Sequence, residues 1–170
     1  MAVSLDKLMA RANRGRTLVV GAKVYDGKVD RRSFYPQAIG VDLFEGEGVD
    51  LVHDLEHPLP AEMGQFDHVD CVSVLEHCQR PWLMAQHLED AMRTGASILV
   101  SVPCVWRVHA YPSDYWRILP EALPVLFPRV RWQITGVLTE GRLQKGPISL
   151  ETDAGPYFSR SETVGVGHRV

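Results

Sequence analysis

The chain has 170 residues, 45% hydrophobic and 23% charged, with a formal net charge of -3 and a mean hydropathy of -0.09. A chain of this length hides roughly 70% of its unfolded surface, so one core holds it without disulfides or structural metal, and the composition excludes collagen, coiled coil and wholesale disorder. No apolar run approaches the ~20 residues that span a bilayer, so no membrane partner is expected, and the acidic balance gives no global basic field for a phosphate backbone, which disfavours nucleic acid and leaves Arg31 and Arg32 as a local exception.

Residues 1–15 are expected to form an N-terminal helix, because Leu5, Leu8, Met9 and Ala12 recur at helical spacing. Asp6, Lys7 and Arg11 stand where a secretory leader would need apolar residues. Residues 17–20, 38–44, 49–53 and 67–75 read as four strands. The near-continuous apolar end of the fourth suits a parallel sheet covered on both faces. Pro81 opens a helix of about twelve residues, with Met84, Leu88, Ala91 and Met92 on one face and Gly95 as a left-handed stop. Residues 96–102 form a fifth strand ended by Pro103. Residues 104–128 are a loop rich in aromatics followed by a short helix over 120–127. Residues 132–138 and 163–168 are further strands, and 139–162 a long loop. Strand, helix and strand in alternation give an α/β class, a doubly wound and mostly parallel sheet in a single three-layer domain. Cys71, Cys78 and Cys104 are odd in number and lack C-x-x-C spacing, which fits a reducing, cytoplasmic location.

Ligands of open α/β sheets bind beyond the carboxyl ends of the strands. Gly21 follows the first strand, Asp42 ends the second, Asp54 follows the third and Glu76-His77 the fourth. Glycine lets the backbone approach a ligand, and a carboxylate about 20 positions further on can take both hydroxyls of a ribose. A capping role at the strand end is the other reading of Asp42. A dinucleotide fingerprint would need glycine where Lys23 and Asp26 stand, and no phosphate-binding G-x-x-x-x-G-K-[ST] occurs. His53, His57, His68 and His87 supply no i, i+4 pair on a helix with a third ligand nearby, so no metal is expected.

The segments TLVVGAKVYDG, AIGVDLFEGEGVDLVHDLEHPLP, FDHVDCVSVLEHCQRPW and ASILVSVP, with the run His109 to Arg117 fitting H-x-Y-P-x-D-Y-W-R, resemble the class I methyltransferases that use S-adenosylmethionine, and the type 11 group in particular. The resemblance implies a Rossmann-like fold with S-adenosylmethionine as cofactor. It places Gly21 and Ala22 at the methionine portion, Asp42 on the ribose, Leu43 beside the adenine, Asp54 and Leu55 flanking that ring, and Ser73 and Val74 on the cofactor's floor. It sets Glu76 and His77 at the methyl-transfer region. The family's E-x-G-x-G-x-G is reduced here to Gly21 and Gly27.

The expected activity is methyl transfer to an oxygen or nitrogen of a small molecule or glycan. His77 and His109 are the candidate proton acceptors for a hydroxyl acceptor; an orienting or structural role for Glu76-His77 is the alternative. Glu76, Tyr111, Asp114, Tyr115 and Arg117 are candidate acceptor-binding residues on a loop that closes over the site. The bland alternative for that loop packs Tyr115 and Trp116 into the core and leaves an Asp114–Arg117 pair outside. The reduced glycine loop also fits a non-catalytic accessory protein that keeps the fold.

Overall fold

The computed structural model describes residues 15–25, 27–109, 112–139, 142–145 and 160–170. Five strands run parallel: β1 (Arg16–Val20), β2 (Gln37–Asp42), β3 (Leu51–Val52), β4 (Phe66–Val72) and β5 (Met92–Val105). Beyond them come β6 (Val130–Thr139), β7 (Arg142–Lys145) and β8 (Ser161–Arg169). β8 lies antiparallel between β5 and β6, giving an eight-stranded sheet in the order β3-β2-β1-β4-β5-β8-β6-β7. This is the expected α/β, mostly parallel, Rossmann-like sheet. Its strand order reverses between β1 and β4, the place where such sheets open a crevice.

Alternation of side chains along each strand decides what faces what. Leu18 and Val20 of β1, Val69 and Cys71 of β4, and Ile98 and Val100 of β5 share one buried face. The helix α1 (Pro81–Ala91) covers that face with Met84, Leu88 and Ala91, joined by Leu123 of the one-turn helix α2 (Leu123–Leu126) and by Phe127. Val19, Leu99 and Val164 point to the other face, against Tyr35. Burial of each large side chain in these layers contributes roughly 1.5–3 kcal/mol.

Pro81 sits in the first turn of α1, where its missing N–H costs nothing. The helix ends at Ala91, and Met92 already pairs with Phe66 in the sheet. Gly95 does adopt a left-handed φ of 83°, but within β5, where residues 93–96 bulge between Met92 opposite Phe66 and Ser97 opposite His68. β5 also runs through Pro103 instead of ending there. Proline is tolerated because β4 has already finished: the last pair is Val72 with Ser101, and beyond it the Pro103 carbonyl accepts from the Ile118 N–H at 3.1 Å. β7 falls inside the span expected to be loop. The expected N-terminal helix lies outside the described residues, apart from Gly15.

The second face carries a polar assembly. Between β1 and β2 the described residues form a 3-10 turn, Arg31–Phe34, whose start is capped by the Asp30 carboxylate accepting from the Arg32 N–H. Arg31 donates to the carbonyls of Val20, Gly21 and Val72 and stands 3.7 Å from Asp70. The Tyr35 hydroxyl donates to the same Asp70 carboxylate at 3.0 Å. Arg32 is held by Asp30 and Asp50, each at 2.8 Å. Both arginines are thus engaged in ion pairs within the chain, Arg31 in the interior and Arg32 nearer the surface.

Candidate functional site

Two left-handed backbones shape the rim at the switch point. Gly21, directly after β1, has φ 64°, and a Cβ there would overlap Val74 Cγ2. Ser73, directly after β4, has φ 55° and is the non-glycine residue with positive φ among the described residues. Its N–H donates to the Ser101 carbonyl at 2.8 Å, which offsets the ~1–2 kcal/mol that such a backbone costs an L-residue. Strain of this kind collects at ligand sites. The two turns bound a cavity of about 800 Å³.

Asp42 lines one side of this cavity. Its Oδ2 accepts from the Lys23 N–H at 3.0 Å and its Oδ1 from the Phe44 N–H at 3.1 Å. The carboxylate therefore does cap the strand end, and each oxygen keeps a lone pair for a further donor. Leu43, Phe44 and Tyr25 stand exposed beside it, with the Lys23 ammonium over both aromatic rings. Asp54 also lines the cavity, and accepts from the Glu56 N–H at 2.9 Å with His57 Nδ1 at 3.5 Å. Leu55, Ser73 and Val74 complete this end. Ala22 does not line the cavity: it is buried below it, its N–H bonded to the Val41 carbonyl at 3.1 Å.

The other end is built from the 3-10 turn Leu75–His77 and the segment that follows β5. The Glu76 carbonyl accepts from the Tyr115 N–H at 2.8 Å, and the Cys78 carbonyl from Trp116 Nε1 at 2.8 Å, strapping the two segments together. Glu76 is completely buried, and neither carboxylate oxygen has a hydrogen-bond partner. Burial pushes its carboxyl up to about 7. His77 Nδ1 donates to the Ser113 carbonyl at 2.5 Å, and its Nε2 stands 3.6 Å from Glu76 Oε1. His109 packs edge-on against the His77 ring, with centroids 4.9 Å apart.

The Asp114 carboxylate accepts from the His109 N–H at 2.8 Å, lies 3.1 Å from His109 Nδ1, and is forked by Arg117 at 2.5 and 2.8 Å. The Arg117 hydrogen bonds hold its carboxyl well below the ordinary carboxylate range. This reverses the bland expectation for the loop. Asp114 is the enclosed side chain, at 2% exposure, whereas Tyr115 and Trp116 are 47% and 38% exposed. Tyr115 lines the cavity; Asp114 and Arg117 do not, Asp114 holding His109 and Arg117 holding Asp114. Tyr111 lies outside the described residues.

Glu76, His77 and His109 thus converge although no helical spacing links them, which is why their sequence positions carry no metal signature. The sequence signal for them is the E-H pair and the H-x-Y-P-x-D-Y-W-R run, both expected at the acceptor end of the site. His68 and His87 are packed imidazoles, bonded to Ser97 Oγ at 2.7 Å and to the Leu55 carbonyl at 3.1 Å.

No protein-family model matches the sequence, and no curated protein does. Solved structures match the fold. The 1,6-didemethyltoxoflavin-N1-methyltransferase of Burkholderia thailandensis aligns over 93% of this chain and 72% of its own, with a TM-score of 0.65 and 14% identity. A SAM-dependent methyltransferase from Archaeoglobus fulgidus aligns over 95% and 89%, at 0.60 and 14%. The 16S rRNA (adenine(1408)-N(1))-methyltransferase of Catenulisporales acidiphilia aligns over 96% and 91%, at 0.59 and 15%. The likeness is one of fold. Among the described residues no helix is long and apolar enough to cross a membrane.

Proposed function

We propose that this chain is a methyltransferase that binds S-adenosylmethionine at the β1–β4 switch point and serves an oxygen or nitrogen of a small molecule or glycan. The observation that carries the reading is Asp42, a cavity-lining carboxylate whose two oxygens each retain a lone pair for the vicinal hydroxyls of a ribose. The residues fit the cofactor in other respects: the left-handed Gly21 leaves the first turn without a side chain, Ser73 and Val74 face it across the switch, and Leu43 and Leu55 offer apolar surface for an adenine beside the Asp54 carboxylate. Bound S-adenosylmethionine supplies an already electrophilic methyl group, so the protein's contribution is alignment.

Glu76, His77, His109 and Tyr115 present polar atoms to an acceptor from the other end of the same cavity. The strap between residues 76–78 and 113–116 fixes those atoms. A volume of about 800 Å³ falls among sites that take small ligands. The structural neighbours named above are a 1,6-didemethyltoxoflavin methyltransferase and an rRNA methyltransferase, and the engagement of Arg31 and Arg32 in ion pairs within the chain favours the small acceptor.

A second reading, a non-catalytic accessory protein, is favoured by the segment between β1 and β2. There the Arg31 guanidinium, not a helix, meets the carbonyls at the ends of β1 and β4. Calorimetry with S-adenosylhomocysteine separates the two readings. Binding that weakens about 10- to 100-fold in Asp42→Asn, the loss expected for charged hydrogen bonds, supports the enzyme. Absence of binding by the wild-type chain supports the accessory role.

A further inference from the structure

We infer that Glu76, His77 and His109 bind one divalent first-row transition-metal ion at the acceptor end of the cavity. One carboxylate oxygen and one ring nitrogen from each histidine lie within 4.8 Å of one another. Metal–ligand bonds of about 2.0–2.2 Å bring neighbouring ligand atoms to roughly 3 Å, a closure that side-chain torsions alone can supply.

Three observations beyond proximity point to a cation. Glu76 is fully buried, lines the cavity, and has no hydrogen bond to either oxygen. A buried carboxylate calls for a compensating charge, and the neighbouring cation, Arg117, is committed to Asp114. His77 donates Nδ1–H to a backbone carbonyl, which directs its Nε2 lone pair toward Glu76. His109 has Nδ1 against the Asp114 carboxylate, so Nε2 is the nitrogen left to ligate. A carbonyl or a carboxylate on the outer nitrogen is how imidazole ligands are held and made more basic. The Glu76 carboxylate is itself pinned at its backbone by the Tyr115 N–H.

Two imidazoles and one carboxylate suit Mn²⁺, Fe²⁺, Co²⁺, Ni²⁺ or Zn²⁺ better than Mg²⁺ or Ca²⁺, which prefer all-oxygen shells. Three protein ligands leave positions open toward the cavity. Resting on the proposed function, those positions would receive an oxygen or nitrogen of the acceptor; the metal site itself does not depend on that reading.

The test uses metal-stripped, full-length protein titrated with Co²⁺ in the absence of any nucleoside, followed by visible absorption. The expected result is one equivalent bound with ligand-field bands. Glu76→Gln and His109→Ala should each weaken binding at least tenfold, while His87→Ala, away from the cluster, leaves it unchanged. Urea midpoints of the variants guard against misfolding, and His109→Gln serves as the milder change if His109→Ala fails to fold. Absence of bands at millimolar Co²⁺, or bands that survive in both Glu76→Gln and the His109 variant, overturns the proposal. Calorimetry with S-adenosylhomocysteine on the same stripped protein keeps the outcomes apart: lost nucleoside binding with retained Co²⁺ sinks the proposed function, and the reverse sinks the metal site.

Discussion

Gly21 and Val74 meet where β1 and β4 end, and the contact leaves no room for a methyl group. Gly21→Ala combines a left-handed backbone with that overlap, so a loss of about 1–3 kcal/mol in urea denaturation is expected. Val74→Ala in the same chain should restore the share due to overlap and leave the backbone share. An equal loss in both backgrounds would show that Val74 is not the obstacle. His68 makes a different residue-scale statement. It is fully buried, with Nδ1 on Ser97 Oγ and no partner for Nε2, and burial lowers its pKa to about 4. The unfolded chain takes up the proton near 6.5 and the folded chain refuses it until about 4. His68 therefore contributes its full stability above pH 6.5, and on the order of 3 kcal/mol is lost as pH falls across that window. Wild type and His68→Leu compared by chemical denaturation at pH 7 and pH 4.5 should show the wild type losing more. Parallel losses would remove the buried neutral imidazole from the account.

At the scale of elements, β1, β2, β4 and α1 are legible because burial on both faces forces continuous apolar runs and a helix must keep its stripe. Leu18, Val20 and Val69 announce themselves. β7 and the continuation of β5 past Pro103 are not legible, since a strand there depends on which neighbour has already ended. The Arg31–Asp70–Tyr35 group is hidden for the same reason: its members come from β4 and from the turn before β2, and only the sheet order brings them together. The site divides likewise. Gly21, Asp42 and Asp54 follow from strand ends, whereas the convergence of His109 on Glu76-His77 depends on backbone hydrogen bonds from Tyr115 and to Ser113 that no local pattern encodes. The polar group on the second face can be tested as a unit. Arg31→Met leaves Asp70 buried beside Tyr35 without a cation, and about 3–5 kcal/mol should be lost. Arg31→Met with Asp70→Asn removes the orphaned charge and should recover a large part of that loss. A double variant as unstable as the single one would mean that Arg31 acts through the strand-end carbonyls and not through Asp70.

For the whole molecule, the cavity gathers the carboxyl ends of β1 to β4 and the segment after β5, so a ligand seated there touches most of the parallel half of the sheet at once. Such a ligand has no counterpart site in the unfolded chain, where Asp42, Ser73 and His109 are far apart. It must then raise the unfolding free energy by RT ln(1 + [L]/Kd), about 2.7 kcal/mol at a hundredfold excess over Kd. In a chain of this size each kcal/mol moves the midpoint by roughly 2–4 °C, so S-adenosylhomocysteine at that excess should raise Tm by about 5–10 °C. Asp42→Asn keeps an acceptor oxygen for one of the Lys23 and Phe44 amides and should melt close to wild type without ligand, while losing about half or more of the ligand-induced rise. Scanning calorimetry of both proteins with and without the nucleoside decides it. A rise of equal size in Asp42→Asn would place the nucleoside elsewhere in the cavity and detach the second strand's carboxylate from the ribose.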